Sequence, residues 1–292
     1  MRKIKELVIE KSLLSSALIT IAVTIGIVLV LAIEAFHFFS EVSILAFLTD
    51  TQWTPLFTNK HYGILPLLSG TLLTSFIAIS VALPIGLSIS IYLSEYAPKS
   101  FRKTVKPLLE LLAAVPTVVY GFFALIVVTP FLQQIIPGLS GFNSLSAGFV
   151  MGIMIIPYIS SISEDALHAV PNALREASFG MGATKLQTAF KVVVPAASSG
   201  IIVSIILAIS RAIGETMIVA IAAGQQPRLT LDPTVPVETI TAYIVQVSLG
   251  DVEHGSVEYR TIFAAGITLF VLTFLLNTLS YRIRKKYQER YE

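Results

Sequence analysis

Between Ser12 and Ile33 the chain carries no charged side chain, and a run of that length constrains the fold more than any other feature. A helix needs roughly 20 apolar residues to cross the hydrocarbon core of a bilayer. In lipid, backbone N–H and C=O groups must be satisfied within the segment itself or in a closed barrel. Five further stretches have the same character: Leu67–Leu93, Leu111–Leu132, Ser144–Ser163, Ala196–Ala223 and Thr261–Tyr281. The remainder of the sequence agrees, because only 13% of its 292 residues are charged and 54% are hydrophobic, with mean hydropathy +0.80. Soluble domains average about 25% charged residues. The expected fold is an all-α integral membrane protein with six transmembrane helices. The first stretch follows a basic Met1–Lys11, as a signal peptide would. At 22 residues it exceeds a usual signal core of about 7–15, and no small-x-small cleavage site follows; it reads as a span.

Lys and Arg in short loops set orientation. Arg2, Lys3, Lys5 and Lys11 precede the first span; Lys99, Arg102, Lys103 and Lys106 lie between the second and third; Arg282, Arg284, Lys285, Lys286 and Arg290 follow the sixth. The alternate loops are poor in basic residues: Glu34–Pro66 has one Lys, Gln133–Asn143 has no charge, and Gln225–Arg260 has two Arg against five acids. This pattern places both termini in the cytoplasm, and by alternation the Glu164–Pro195 loop as well. The chain divides into residues 1–66 (tail, first span and outer loop), a membrane domain over 67–281 containing the loop 164–195, and a basic tail at 282–292. Pro84, Pro116, Pro130 and Pro157 fall inside spans, where each removes a backbone hydrogen bond and tends to bend the helix.

The inward loop holds a spaced motif. Glu176-Ala177-Ser178 is followed after three residues by Gly182, and after nine more by Val192-Val193-Val194-Pro195. Asn172 or Pro171 opens a helix there, Gly180 and Gly182 break it, and Thr184 can cap another. Small residues at Ala177, Ser178, Gly182 and Ala183 permit close approach by a partner surface. No G-x-x-x-x-G-K-[ST] phosphate-binding loop, H-E-x-x-H or G-x-S-x-G occurs. The absence of cysteine excludes disulfides, thiolate chemistry and iron–sulfur ligation. No catalytic residue, metal site or cofactor is expected.

Arg211 and Glu215 are the only charges inside the six stretches. A central charge costs on the order of 3 kcal/mol even on lenient insertion scales, so such residues point to function. Four residues apart on a continuous helix, they share a face and can pair. One reading is that they neutralise each other and fix packing. The other makes Arg211 an anion contact, since its planar fork suits oxyanions and keeps its charge, with Glu215 tuning it or accepting a hydrogen bond from the hydroxyl of hydrogen phosphate. Gly214 beside them removes bulk where a substrate or another helix would approach.

The loop motif resembles the docking loop of bacterial ATP-binding-cassette importer permeases, whose pattern is EAA, three residues, Gly, nine residues, I-x-L-P. Ser178 stands for the last Ala, and Val192 and Val194 for Ile and Leu. Arg211-Ala212-Ile213-Gly214-Glu215-Thr216-Met217 resembles the R-A-x-G-E-T segment of permeases in the phosphate importer. Met217 and the run from Ser163 to Ser178 are closer to the PstC type than the PstA type. The resemblance implies a type I (MetI-like) importer core and translocation of phosphate across a bacterial inner membrane. It further implies a second homologous permease in a heterodimer, two ATPase subunits that hydrolyse the ATP, and an extracytoplasmic phosphate-binding protein. Arg175, Glu176, Ala177, Ser178, Gly182 and Ala183 would dock the ATPase, and Arg211, Gly214 and Glu215 would line the substrate path. Other oxyanions such as sulfate, molybdate or phosphonate, and an ATPase-independent ion-coupled carrier, remain alternatives.

Three weaker features complete the reading. Glu110 is expected at a cytoplasmic helix start, favoured there by the helix dipole. Val237, Ile240, Ile244 and Val247 predict a short amphipathic helix within Gln225–Arg260. The four histidines show no metal-ligand spacing, and lipid and topology account for the basic tails without nucleic acid.

Overall fold

The computed structural model describes the backbone of residues 2–287 and the side chains of residues 6–282. Among them it is helical, with isolated bridges (Trp53 to Tyr62, Gly224 to Val237) in place of strands. The helices are α1 (Arg2–Glu41), α2 (Ile44–Thr49), α3 (Leu65–Tyr96), α4 (Lys99–Ala114), α5 (Thr117–Ile135), α6 (Ser144–His168), α7 (Asn172–Gly180), α8 (Lys185–Ala196), α9 (Ser198–Ile213), α10 (Met217–Ala222), α11 (Ile240–Leu249) and α12 (Val257–Tyr287). Five are long and apolar enough to cross a bilayer, and a sixth crossing results if the bent pair α8–α9 counts as one.

The first expected span lies within α1, whose 40 residues make a rod of about 60 Å. Its apolar surface is almost wholly exposed up to Val30, and only near its end do Ala35 and Phe38 become buried. There α1 packs against α12, and Arg260 pairs with Glu34 and Glu41. The basic residues before Lys11 continue the same helix instead of forming a separate tail. The expected basic segment 282–292 begins on α12, and its residues 288–292 lie outside the described residues.

Two expectations for the spans need correction. The third does not begin at Leu111. Pro116 forces its neighbour Val115 into an extended conformation (ψ 130°), which ends α4 at Ala114 and starts α5 at Thr117. Leu111 and Leu112 therefore belong to α4, which buries none of its residues. Glu110 lies in its last turns and not at a helix start; its Oε1 accepts a hydrogen bond from Ser161.

The fifth is not one helix over Ala196–Ala223. The chain turns by 72° between α8 and α9, then breaks again at Gly214–Thr216 before α10. Pro130 and Pro195 each follow a wide π-type turn, Ala124–Val128 and Ala189–Val193. In a helix each would leave an upstream carbonyl without its donor, and the wider turn accommodates that mismatch. Pro84 and Pro157 remain within α3 and α6.

The centre of the fold is the α3–α6 contact. Gly148 and Gly152 lie one turn apart on α6, where a Cβ would come 2.9 Å from the Thr74 carbonyl oxygen and 2.8 Å from that of Ala78. Only glycine allows this approach, as in small-xxx-small membrane interfaces. Around it Ala78, Ala82, Met151, Ile155, Ile159, Ala208, Ile218 and Val219 form the main core. A second apolar cluster at one end joins Phe38, Phe47, Trp53, Leu67, Tyr243 and Ala264.

At that same end the 224–240 segment is tied to the spans. Ser69 Oγ donates to the Thr230 carbonyl at 2.6 Å, Leu145 N to that of Pro233 at 2.9 Å, and Ile240 N to Thr71 Oγ1 at 3.0 Å. The expected short helix is α11, with Ile240 and Val247 buried; Val237 lies before its first turn. Glu238 is buried there with Oε1 unpartnered, and burial pushes its carboxyl up to about 8.

Candidate functional site

The 164–195 loop folds into a helical hairpin. Pro171 caps α7, whose end at Gly180 is closed by a Schellman turn: Ala183 N donates to the Ser178 carbonyl at 3.1 Å, and Gly182 N to that of Phe179 at 2.9 Å. Gly182 occupies the left-handed position of this turn with φ +80°, which explains why the motif requires a glycine there. Thr184 then opens α8 through a reciprocal capping box with Gln187. Ser178 Oγ lies 2.9 Å from Thr188 Oγ1, so the serine that replaces the motif's last Ala cross-links the two limbs.

The knuckle of this hairpin is bare. Glu176, Ala177, Gly180 and Gly182 are exposed, Ser178 and Ala183 partly so, and Met181 is 88% exposed. Phe179, Leu186 and Phe190 add exposed apolar surface on either side. Small residues at the crest with apolar flanks suit a groove on another protein better than water.

Arg175 faces the opposite way, into the protein. It forks onto Glu95 at the end of α3, with Nε to Oε2 at 3.1 Å and Nη2 to Oε1 at 2.8 Å. It also donates to the carbonyls of Val170 (2.6 Å) and Leu167 (2.8 Å). Of the six residues expected to dock, Arg175 alone is turned from the exposed crest.

Next to the hairpin lies a charge cluster that the sequence reading missed. Glu164 is fully buried one residue beyond the expected end of the fourth span, and meets Arg102 at 2.5 Å and Lys106 at 2.9 Å. Lys106 also contacts Asp165. The signal was present: two basic residues four apart on α4, facing a carboxylate that follows directly on an apolar run. The basic 95–106 loop and the 164–195 loop, which alternation of the spans puts on one side, thus meet in space.

The Arg211–Glu215 pair forms as expected, but on a broken helix. Arg211 lies in the last turn of α9, and Glu215 in the break after it; Nη1 reaches Oε2 at 2.6 Å. The other carboxylate oxygen accepts from Met217 N at 3.1 Å and Ile218 N at 3.4 Å, capping α10. Thr241 Oγ1 donates to the Glu215 carbonyl at 2.6 Å, fastening the break to α11. Only 2% of the Glu215 side chain is exposed, and both its oxygens are engaged within the chain. Arg211 keeps 32% of its side chain exposed, and among the described residues its second polar contact is the Met154 sulfur at 3.9 Å. Gly214 is exposed, and a Cβ there would meet only the Ser210 carbonyl of its own helix, at 3.5 Å. A guanidinium with donors to spare beside open space can bind an oxyanion. Arg211 lies 13 residues into α9, roughly 20 Å along it.

His61 pairs with Asp50, His168 lies beside Arg102, and His254 packs on Tyr259. Among the described residues no group of His, Asp and Glu could hold a metal ion.

Residues 82–290 match the model of the family described as binding-protein-dependent transport system inner membrane component. The chain belongs to this family. It is 36% identical over 265 residues to the probable ABC transporter permease protein YqgH of Bacillus subtilis, covering 90% of this chain and 85% of that one. It is 35% identical to the phosphate transport system permease protein PstC of Mesorhizobium japonicum, covering 80% and 76%. A probable PstC of Methanocaldococcus jannaschii is 30% identical, covering 79% and 78%. Among solved structures the permease fold is shared with the MetNI methionine ABC transporter (TM-score 0.56, 20% identity, 78% of this chain and 95% of that one). A bacterial ABC transporter that imports alginate also shares it (TM-score 0.59, 18% identity, 81% and 83%). These solved structures speak to the fold alone. The all-α permease architecture expected from the sequence is therefore present among the described residues, with five helices long enough to cross a bilayer and a sixth crossing if the bent pair α8–α9 counts as one.

Proposed function

We propose that this chain is the PstC-type permease subunit of an ATP-driven importer of inorganic phosphate. It lies in the inner membrane with both termini in the cytoplasm and pairs with a second, homologous permease as a heterodimer. Residues 67–281 act as the permease core. Glu176, Ala177, Ser178, Gly182 and Ala183 form the crest that enters a groove on one of two ATPase subunits. An extracytoplasmic phosphate-binding protein delivers the substrate at the end where the 224–240 segment lies. Closure of the ATPase pair on ATP draws the hairpins together and switches the path from outward to inward access. No bond is broken in this chain.

One observation carries the reading: a rigid, capped hairpin of small and apolar residues, bare at its crest, in a member of the binding-protein-dependent permease family. Phosphate as substrate is supported by relatives named for phosphate transport at 30–35% identity over about four-fifths of the chain. It is also supported by Arg211, whose spare donors suit an oxyanion. Within the pair, Arg211 contacts the anion and Glu215 holds Arg211 in place, since both its oxygens are already engaged.

Proteoliposomes holding the full set of subunits should take up labelled phosphate only with ATP inside. A hundredfold excess of sulfate should leave the initial rate within about twofold. Equal competition by sulfate would move the assignment to another oxyanion.

A further inference from the structure

We infer that Arg175 is a positioning residue that couples the hairpin to the membrane spans; this rests on the proposed docking of the hairpin to an ATPase. Arg175 is one residue before the crest in sequence yet only 14% exposed, and Glu95 is 7% exposed. Through a single guanidinium α7 is joined to two other helices: to α3 through both oxygens of Glu95, and to the end of α6 through the carbonyls of Leu167 and Val170. Ser94 Oγ steadies the carboxylate with a hydrogen bond to Oε1 at 2.9 Å.

The second limb holds the same place. Lys185, the first residue of α8, lies with Nζ 5.0 Å from the centre of the Tyr96 ring, within range of a cation–π contact. Both limbs therefore grip the turn Tyr92–Tyr96, the last of the span that packs most closely on α6. Force on the crest reaches α3 and α6 together through these contacts, and α4 follows through Arg102 and Lys106 on Glu164. A lysine at 175 would keep the charge but cannot serve two carboxylate oxygens and two carbonyls at once.

The test is the number of phosphate ions moved per ATP hydrolysed in the reconstituted full complex, with ATPase co-purification measured alongside. Arg175→Lys and Glu95→Gln should each retain the ATPase at the native ratio while phosphate moved per ATP falls about tenfold. Glu95→Gln preserves side-chain shape, so it guards against a variant that simply fails to fold. Native coupling in both variants would overturn the inference. So would loss of the ATPase from both, since Arg175 would then serve docking. Failure of the unaltered chain to retain an ATPase would instead refute the proposed function on which the inference rests.

Discussion

Replacing Arg211 by lysine should lower phosphate uptake by the assembled importer on the order of a hundredfold while the ATPase remains bound. The expectation follows from what each half of the charged pair already does. Glu215 is held from both sides, one oxygen on Arg211 and the other on the first N–H groups of α10. A lysine can satisfy Glu215 as a point charge, so the break between α9 and α10 should survive. It cannot also present a planar fork to an anion. The loss is a hydrogen bond to a charged group, worth about 1.5–3 kcal/mol, and about 3 kcal/mol corresponds to a factor of roughly 100. Glu215→Gln separates the two roles further. Its amide oxygen can still cap α10, so uptake should fall by less than in Arg211→Lys if the carboxylate only positions the arginine. Full uptake by both variants, measured as initial rates in proteoliposomes, would leave the pair with packing alone.

Gly182→Asp should strip the ATPase from the complex without unfolding the permease. The left-handed conformation at this position, φ +80°, is one that Asp adopts more readily than most residues. Among the described residues, no atom beyond its two chain neighbours lies within 4 Å of where its Cβ would be. The hairpin should therefore form as before, with Thr184 and Gln187 still capping α8. What changes is the crest, which would carry an unpaired carboxylate into a desolvated groove. Leaving one charge buried and uncompensated costs about 3–5 kcal/mol, enough to reduce co-purifying ATPase by at least about 100-fold. Gly182→Asn has nearly the same shape and conformational preference without the charge, and should retain much more of the ATPase. Equal retention by the Asp variant and the unaltered chain would remove the crest from the interface.

The sequence exposed those parts of the fold that depend on periodicity and spacing. Charge-free runs located the long apolar helices, alternation of those runs put together the two loops that meet through Lys106 and Glu164, and the motif's glycine and threonine marked the turn and cap of the hairpin. It hid whatever depends on a local break or a tertiary partner. Hydropathy cannot see that Pro116 ends one helix and begins another, because Leu111 and Leu112 are as apolar as the span they precede. Nor does it register the bend before Ser198 or the interruption at Gly214, where Glu215 replaces the missing helical turn with a cap of its own. Arg175 looked like part of the crest because its neighbours in sequence are; on a helix one residue is about 100° of rotation, and that turn carries it inward to Glu95. Glu164 and Glu238 were invisible as buried carboxyls, since burial depends on tertiary packing that the sequence does not display.

The claim on which the rest depends is that the crest faces the cytoplasm and is covered there by an ATPase. The chain has no cysteine, and Met181 is 88% exposed at the tip, so Met181→Cys places a single thiol at the decisive point. Its labelling by a membrane-impermeant maleimide should be read in right-side-out and inverted vesicles, with and without the ATPase. The account predicts rapid labelling only in inverted vesicles, slowed at least tenfold when the ATPase is bound. Labelling from the outer face, or a rate indifferent to the ATPase, would contradict it.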